Sequence, residues 1–401
     1  MRIATSSSSS SSSHVNAESA VKDIAEEILR SFTSPDLVLA YYTETQDAKT
    51  LQSALNSAFP SAQVLGCSSC QGTMTDKGYL SGHTLSVLAI KDPQGAYGSA
   101  ALELDPSANI QSQAQTVLRS ALDNSGRPGE LPALITLHTT PGHEEIVLHA
   151  IRSELGVNIP IIGGTAADNA IAGYWSLFDK HTLTDNGISM AVFFPSARVS
   201  YAFHSGYAAT GKSAVATRID GRTLLELDGQ PAAIVYANWY KEETGLDIDN
   251  SALFAESTLF PLGRQTGEIH SMPYYTLSHP AVVSKENGIE MFCNMQEGET
   301  VHLMSGTTEM LVSRAGRVVD SANEHDSLKR DPIGGIAIYC AGCMLHVKDS
   351  LHDVAANMSL SMHEAPFICP FTFGEQGQFL GGEIAHGNLM ISAVLFHKDE
   401  L

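Results

Sequence analysis

An α/β fold built from repeated βαβ-type units is predicted by a pattern that occurs three times along the chain. In each copy an apolar strand runs into a short polar turn, a helix follows, a second strand ends at a turn of small residues, and a later glycine-marked strand closes the unit. The strands are continuous apolar runs that need cover on both faces, which indicates parallel pairing through a helical crossover. A long stretch between the second and third copies alternates instead, as antiparallel strands do. The expected architecture is two lobes with mixed, largely parallel sheets and an antiparallel middle segment. Residues 17–222 hold two repeats and residues 223–401 hold the third.

Residues 1–16, with serine at every position from Ser6 to Ser13, have a low-complexity composition that builds no core and are expected to be disordered. A helix over 18–32 follows, its Ala20, Val21, Ile24, Ala25, Ile28 and Leu29 on one face. The first copy reads LVLAYYTE from Leu37, a helix over 47–59, AQVLGCSS from Ala62 and a closing strand ending at Ile90. The second reads ALITLHTT from Ala133, a helix over 143–155, NIPIIGGTAADN from Asn158 and a closing strand ending at Phe194. In the middle segment, Pro231 marks a helix start, since proline there loses no needed N–H. A further helix is predicted over 307–321. The third copy reads GIAIYCAGC from Gly335, a helix over 347–363, APFICPFTFGEQG from Ala365 and a closing strand ending at Phe396.

The chain has 401 residues, 43% of them hydrophobic, and 23 basic against 44 acidic residues give a net charge of −21. Such a chain repels phosphate backbones and anionic lipid, which argues against nucleic-acid and membrane-surface binding. Six cysteines in so long a chain make no disulfide framework, and no uninterrupted apolar run reaches membrane-spanning length. A cytoplasmic location is expected. The chain ends in KDEL, Lys398 to Leu401, a retrieval address for the endoplasmic reticulum. With no signal peptide ahead of it, it reads as a charged strand terminus, the alternative being a longer native form with a leader.

Ligands of parallel sheets sit beyond the carboxyl ends of the strands, so the turns name the candidate site. In the first copy these are Tyr42, Gly66, Cys67, Ser68 and Ser69; in the second His138, Thr139, Gly163, Gly164, Thr165, Asp168 and Asn169; in the third Cys340, Phe373, Gly374, Glu375 and Gln376. Glycines allow close backbone approach, while hydroxyls, the Asp168 carboxylate and the amides can hold a polar ligand. Each has a plainer reading: small residues that let elements pack, or an Asx turn at Asp168. His138, Tyr42 and Cys340 are taken as equivalent because each ends an opening strand. A catalytic alternative places Cys67 as nucleophile, His138 as base and Asp168 as its orienter. A metal alternative uses Cys340, Cys343 and His346, with His386 as a fourth ligand.

VLGCSSCQG (Val64 to Gly72), PIIGGTAADN (Pro160 to Asn169), LLELDGQPA (Leu224 to Ala232), MQEGETVHLM (Met295 to Met304), the strand GIAIYCAGC and FTFGEQG (Phe371 to Gly377) together resemble the FIST family over residues 20–397. The resemblance implies an N- and a C-terminal FIST domain forming an intracellular sensory module for a small ligand. Some family members are haem proteins that sense nitric oxide, so haem enters as an alternative cofactor, none being required. No kinase, cyclase or F-box segment lies outside the resemblance, so output is expected through a partner protein. The expected function is a sensor binding a small polar, amino-acid-like ligand. The alternatives are a cysteine-dependent hydrolase or transferase using Cys67, and a haem- or metal-based gas sensor.

Overall fold

The three repeats build three six-stranded sheets of identical strand order. A computed structural model describes residues 1–10, 16–326, 328 and 330–398; residues 11–15 of the serine-rich segment and the last three of KDEL lie outside the described residues. The first module's sheet runs Arg2–Ser8, Leu85–Lys91, Leu37–Tyr42, Gln63–Ser68, then the hairpin Leu177–Phe178 and Leu183–Thr184. The second runs Ala96–Glu103, Gly187–Phe194, Leu134–Thr139, Ile161–Thr165, then Glu375–Gln378 and Ile384–Gly387. The third runs Arg198–His204, Ile391–His397, Pro332–Cys340, Phe367–Thr372, then Gly72–Thr75 and Gly78–Ser81. The sheets are mixed, as the sequence predicts. Parallel pairing is confined to the two strands flanking each crossover helix, and all other neighbours are antiparallel.

The last two strands of every sheet are a hairpin lent by another module. The first module's hairpin pairs with the third's Phe367–Thr372, the third's with the second's Ile161–Thr165, and the second's with the first's Gln63–Ser68. The exchange closes on itself at the three strand-end turns. There Cys70 N–H donates to Phe371 O (3.0 Å), Phe373 N–H to Thr165 O (3.0 Å), and Ala167 N–H to Ser68 O (3.2 Å). The three turns predicted to carry the site therefore do meet, around one pseudo-threefold axis.

Local chemistry explains the elements. Helix Ala48–Ala58 starts where the Asp47 side chain accepts from Lys49 and Thr50 N–H, and helix Glu144–Leu155 stops at Gly156 in the left-handed region. Helix Ala17–Ser31 buries the predicted face except Leu29, which is exposed. The serine-rich start differs from expectation: Arg2–Ser8 is a strand pairing in register with Leu85–Lys91. Ala4, Thr5 and Ser6 are buried in succession on a ready-made sheet edge, and the Thr5 and Ser6 hydroxyls donate to Asp76 and Glu27, partners that composition alone does not reveal. The third module alone carries an insertion, 208–305. It is an antiparallel eight-stranded sheet with helix Ala232–Thr244, which follows Pro231 as predicted. Helix Thr308–His325 then returns to the third sheet. No helix among the described residues is long and apolar enough to cross a membrane.

The inner faces of the three sheets share one core, to which Leu39, Leu65, Phe193, Ile338, Ile368 and Phe396 belong. His138 lies on that inner face, fully buried. Its Nδ1 meets Gly164 O at 2.9 Å and its Nε2 meets Tyr41 OH at 3.0 Å. A carbonyl accepts only, so Nδ1 carries the proton and Nε2 accepts from Tyr41. Both nitrogens are committed. Register against the closing serines (Tyr41 with Ser86, His138 with Ser189, Ile338 with Ser392) makes Tyr41, His138 and Ile338 the equivalent residues. The equation of His138 with Tyr42 and Cys340 is therefore corrected by one residue in the first repeat and by two in the third, because the strand of His138 runs on to Thr139 and the third opening strand is one residue longer at its end than the other two.

Two outcomes follow. A Cβ at Gly163 would stand 1.7 Å from Leu137 O on the adjacent parallel strand, so Gly163→Ala is expected to lower stability by about 2–3 kcal/mol, read from the urea midpoint. Burial holds His138 and His279 down to about 4 from an ordinary 6.5. The unfolded chain takes up these protons first as pH falls, so stability is full above about pH 6.5 and declines towards pH 4. The melting temperature should fall between those values, and less so in His138→Gln.

Candidate functional site

A cavity of about 210 Å³ lies where the insertion meets the second- and third-module turns. Of the predicted residues, Thr165, Cys340 and Phe373 line it. The insertion supplies Phe254, His279 and Phe292, with Phe254 4.7 Å from His279 and 5.8 Å from Phe292 between ring centroids. Opposite, Trp175 meets Phe373 edge-on at 6.2 Å. Ala341, Gly342 and Leu345, from the helix that begins directly after strand Pro332–Cys340, form the floor. A larger groove of about 430 Å³ along Arg152, Arg264 and Glu299 is more open and polar. The less open, mostly apolar cavity, with five aromatic rings and a few convergent polar groups, is the stronger candidate for a small molecule.

The polar end is an ion pair. Arg222 Nη2 stands 2.7 Å from Glu144 and 3.0 Å from Glu145, while its Nε donates to Asn294 (2.9 Å) and its Nη1 to Phe292 O (2.8 Å). Glu144 is 2% exposed. Burial pushes its carboxyl up, but the nearby His386 and Arg222 outweigh that and hold it below its ordinary value. Its other oxygen accepts from Thr165 Oγ1 at 3.1 Å, and Thr165 in turn accepts from Gln376 Nε2 at 3.2 Å. The insertion, the second module and the exchanged third-module hairpin are thus tied together at the cavity's edge. His279 Nε2 meets Phe254 O at 2.9 Å, which makes that nitrogen the donor and leaves Nδ1 an acceptor. Its ring faces Gly342, also on the wall.

The remaining predicted residues are placed elsewhere. Gly66 makes room for the Phe178 ring, and Gly164 for Thr372. Tyr42 lies on the helix side of its sheet and bonds Ser176 at 2.7 Å. Ser68 accepts from Ser176 N–H, and Ser69 bridges Gly72 O and Phe371 N–H. Thr139 is buried one residue beyond His138. Asp168 accepts from the N–H groups of Ala170, Ala172 and Tyr174, the Asx-like loop anchor, and Asn169 accepts from Gln71 N–H. A Cβ at Gly374 would meet His386, and Glu375 accepts from Thr372 and Met390 N–H behind the wall.

The catalytic and metal alternatives do not assemble. Cys67 is buried in the central core, where desolvation pushes its thiol up, and both His138 nitrogens are spent elsewhere. His346 bonds Thr308 at 3.1 Å, and no group of three His, Cys, Asp or Glu among the described residues is arranged to hold a metal ion. Missed in the sequence were Glu144, Arg222, Trp175, Phe254, His279 and Phe292. The concentration of aromatic residues outside the repeat was the available signal, but a segment without internal repeat has no register from which to place them.

A protein of Methanocaldococcus jannaschii described only as uncharacterized is 24% identical over 249 residues, 59% of this chain and 47% of that protein. The match thus spans about half the length of that relative. A crystal structure of cyanuric acid hydrolase from A. caulinodans aligns over 99% of both chains at 8% identity and a TM-score of 0.36. The FIST N domain model matches residues 36–230, taking in two exchanged hairpins and the start of the insertion with Arg222, and the FIST C domain model matches 232–378, taking in the rest of the insertion and the third turn. The cavity lining except Asn388 thus falls inside these matches, and the chain belongs to the FIST family, whose domains are sensory modules for small ligands.

Proposed function

We propose that this protein is an intracellular sensor that binds an amino-acid-like molecule with an apolar or aromatic side chain in the cavity between insertion and modules, and signals through a protein partner. The observation that carries this reading is the pairing of an aromatic chamber with an ion pair at one end. A cavity of about 150 Å³ accepts a benzene ring, so 210 Å³ suits such a ring with a few further atoms. The Glu144–Arg222 pair presents both signs to a zwitterionic head, and His279 Nδ1 offers an acceptor to a donor group. The sequence suggested a polar ligand; the lining favours a polar head on an apolar body. Because Arg222 belongs to the insertion and Glu144 to the second module, a ligand held by both biases how the insertion docks, which is the change a partner would read.

Trp175 supplies the readout. Titrating the full chain with a panel of free amino acids should change its fluorescence, with aromatic and branched members binding best and Trp175→Phe losing the signal. Phe254→Ala should weaken binding by roughly 10- to 100-fold, the equivalent of the apolar contact removed. Arg222→Met leaves Glu144 buried and unpaired, so it should lower both affinity and melting temperature. A panel in which no amino acid alters fluorescence or melting temperature would sink the proposal.

A further inference from the structure

The groove of about 430 Å³ shares the Glu144–Glu145–Arg222 cluster with the cavity, Glu144 bordering the cavity and Glu145 the groove. It lies between helix Glu144–Leu155, the insertion and the exchanged hairpin strand Ile384–Gly387, and its volume is within the range of small-molecule sites. Arg264, on strand Leu262–Ile269 of the insertion, has its side chain 17% exposed. Its Nε is buried without a partner, its Nη2 meets only the Cys293 sulfur at 3.8 Å, and its Nη1 stands 3.7 Å from Glu299 Oε2. A guanidinium so far out of water is costly unless its donors are met. Arg152, in the last turn of helix Glu144–Leu155, has no carboxylate partner among the described residues, in a chain with 23 basic against 44 acidic residues. His386, 4% exposed on the same wall, accepts at Nδ1 from Gln376 Nε2 (3.3 Å), so Nε2 carries a proton that no group takes.

The unspent groups of these three residues are donors. The two carboxylates of the groove are already engaged: Glu145 accepts from Arg222 and from Asn294 N–H, and Glu299 accepts from Gln296 N–H. We propose that the groove is a second binding site, for a phosphate-bearing small molecule held between Arg264 of the insertion and Arg152 of the second module. A phosphate dianion brings three acceptor oxygens and enough charge to outweigh Glu145 and Glu299, which a single carboxylate does not. The planar fork of Arg264 takes two of those oxygens in place of its long contact with Glu299. Arg152, on the open rim, meets the phosphate from the other side. The organic part of the molecule lies along Leu148, Ile384 and Ala385, the apolar side of the groove. Occupancy would tie the insertion to the second module, as the Glu144–Arg222 pair does beside it. The site does not depend on what the cavity binds.

The test follows the melting temperature and the heat of binding of the full chain near neutral pH, at ionic strength held constant with potassium chloride. The probes are inorganic phosphate, glycerol 3-phosphate and succinate. Both phosphates are expected to give a saturable rise in melting temperature, with glycerol 3-phosphate binding more tightly and succinate not saturating. Arg264→Gln should abolish saturation. Arg152 is exposed, so Arg152→Gln should leave the unliganded melting temperature unchanged and weaken binding roughly threefold or more. Glu299→Gln should tighten binding by about the same factor, because it removes the competing carboxylate. No saturable effect of either phosphate, or an effect unchanged in Arg152→Gln and Arg264→Gln, overturns the proposal. Succinate matching the phosphates overturns the assignment to phosphate, and inorganic phosphate binding without glycerol 3-phosphate overturns the organic part. None of these results uses the amino-acid titration, which is read separately through Trp175.

Discussion

The exchange of hairpins among the three modules is the constraint on which the rest depends. Each second strand leaves its own sheet at the axis and continues in a neighbour's, so no sheet is complete without a strand from another module. The three backbone hydrogen bonds at the crossing points are individually modest, about 0.5–1.5 kcal/mol each. Their effect comes from closure: each bond fixes the turn that the next module needs. Small residues occupy these turns because neighbours pass within contact distance, the Leu137 backbone of the module's own parallel strand at Gly163 and the Thr372 side chain of the third module at Gly164.

This arrangement also explains why glycine- and serine-rich turns, which look like ligand loops, mostly serve as joints. Ser68, Ser69, Asp168 and Asn169 spend their hydrogen bonds on the crossing strands and loops. The ring is nearly threefold in backbone, yet it has one enclosed aromatic cavity at these turns. The difference is the insertion, present in the third module alone, which brings Phe254, His279, Phe292 and Arg222 against the turns from outside. Symmetry positions the floor and asymmetry builds the wall.

Two arginines organise the polar chemistry of an acidic chain. Arg222 is met by carboxylates and ties the insertion to the second module. Arg314 is met by carbonyls and aromatic faces. The first makes a rim of both signs.

How much of this was legible follows from where each signal resides. Continuous apolar runs with capped helices between them, such as Leu37–Tyr42 followed by Asp47 and Ala48–Ala58, determine local structure because burial on both faces and capping act over a few residues. The sequence by itself therefore determined the repeats, the α/β class, the crossover helices and the three turns as a meeting place. It could not reveal that Arg2–Ser8 is a strand, since serine has low strand preference and its partner, Leu85–Lys91, is decided by a sheet edge far along the chain. Nor did it separate Thr165, Cys340 and Phe373 from their neighbours. Which turn residues face a cavity depends on strand register and on the docking of a non-repeating insertion, both long-range packing outcomes that no local pattern encodes. Tertiary structure alone decided that His138 is a core residue with both nitrogens spent, that Cys67 sits in the central core, and that Arg222 meets Glu144 and Arg314 meets Ser205 O and Leu389 O, because each depends on contacts between segments far apart along the chain.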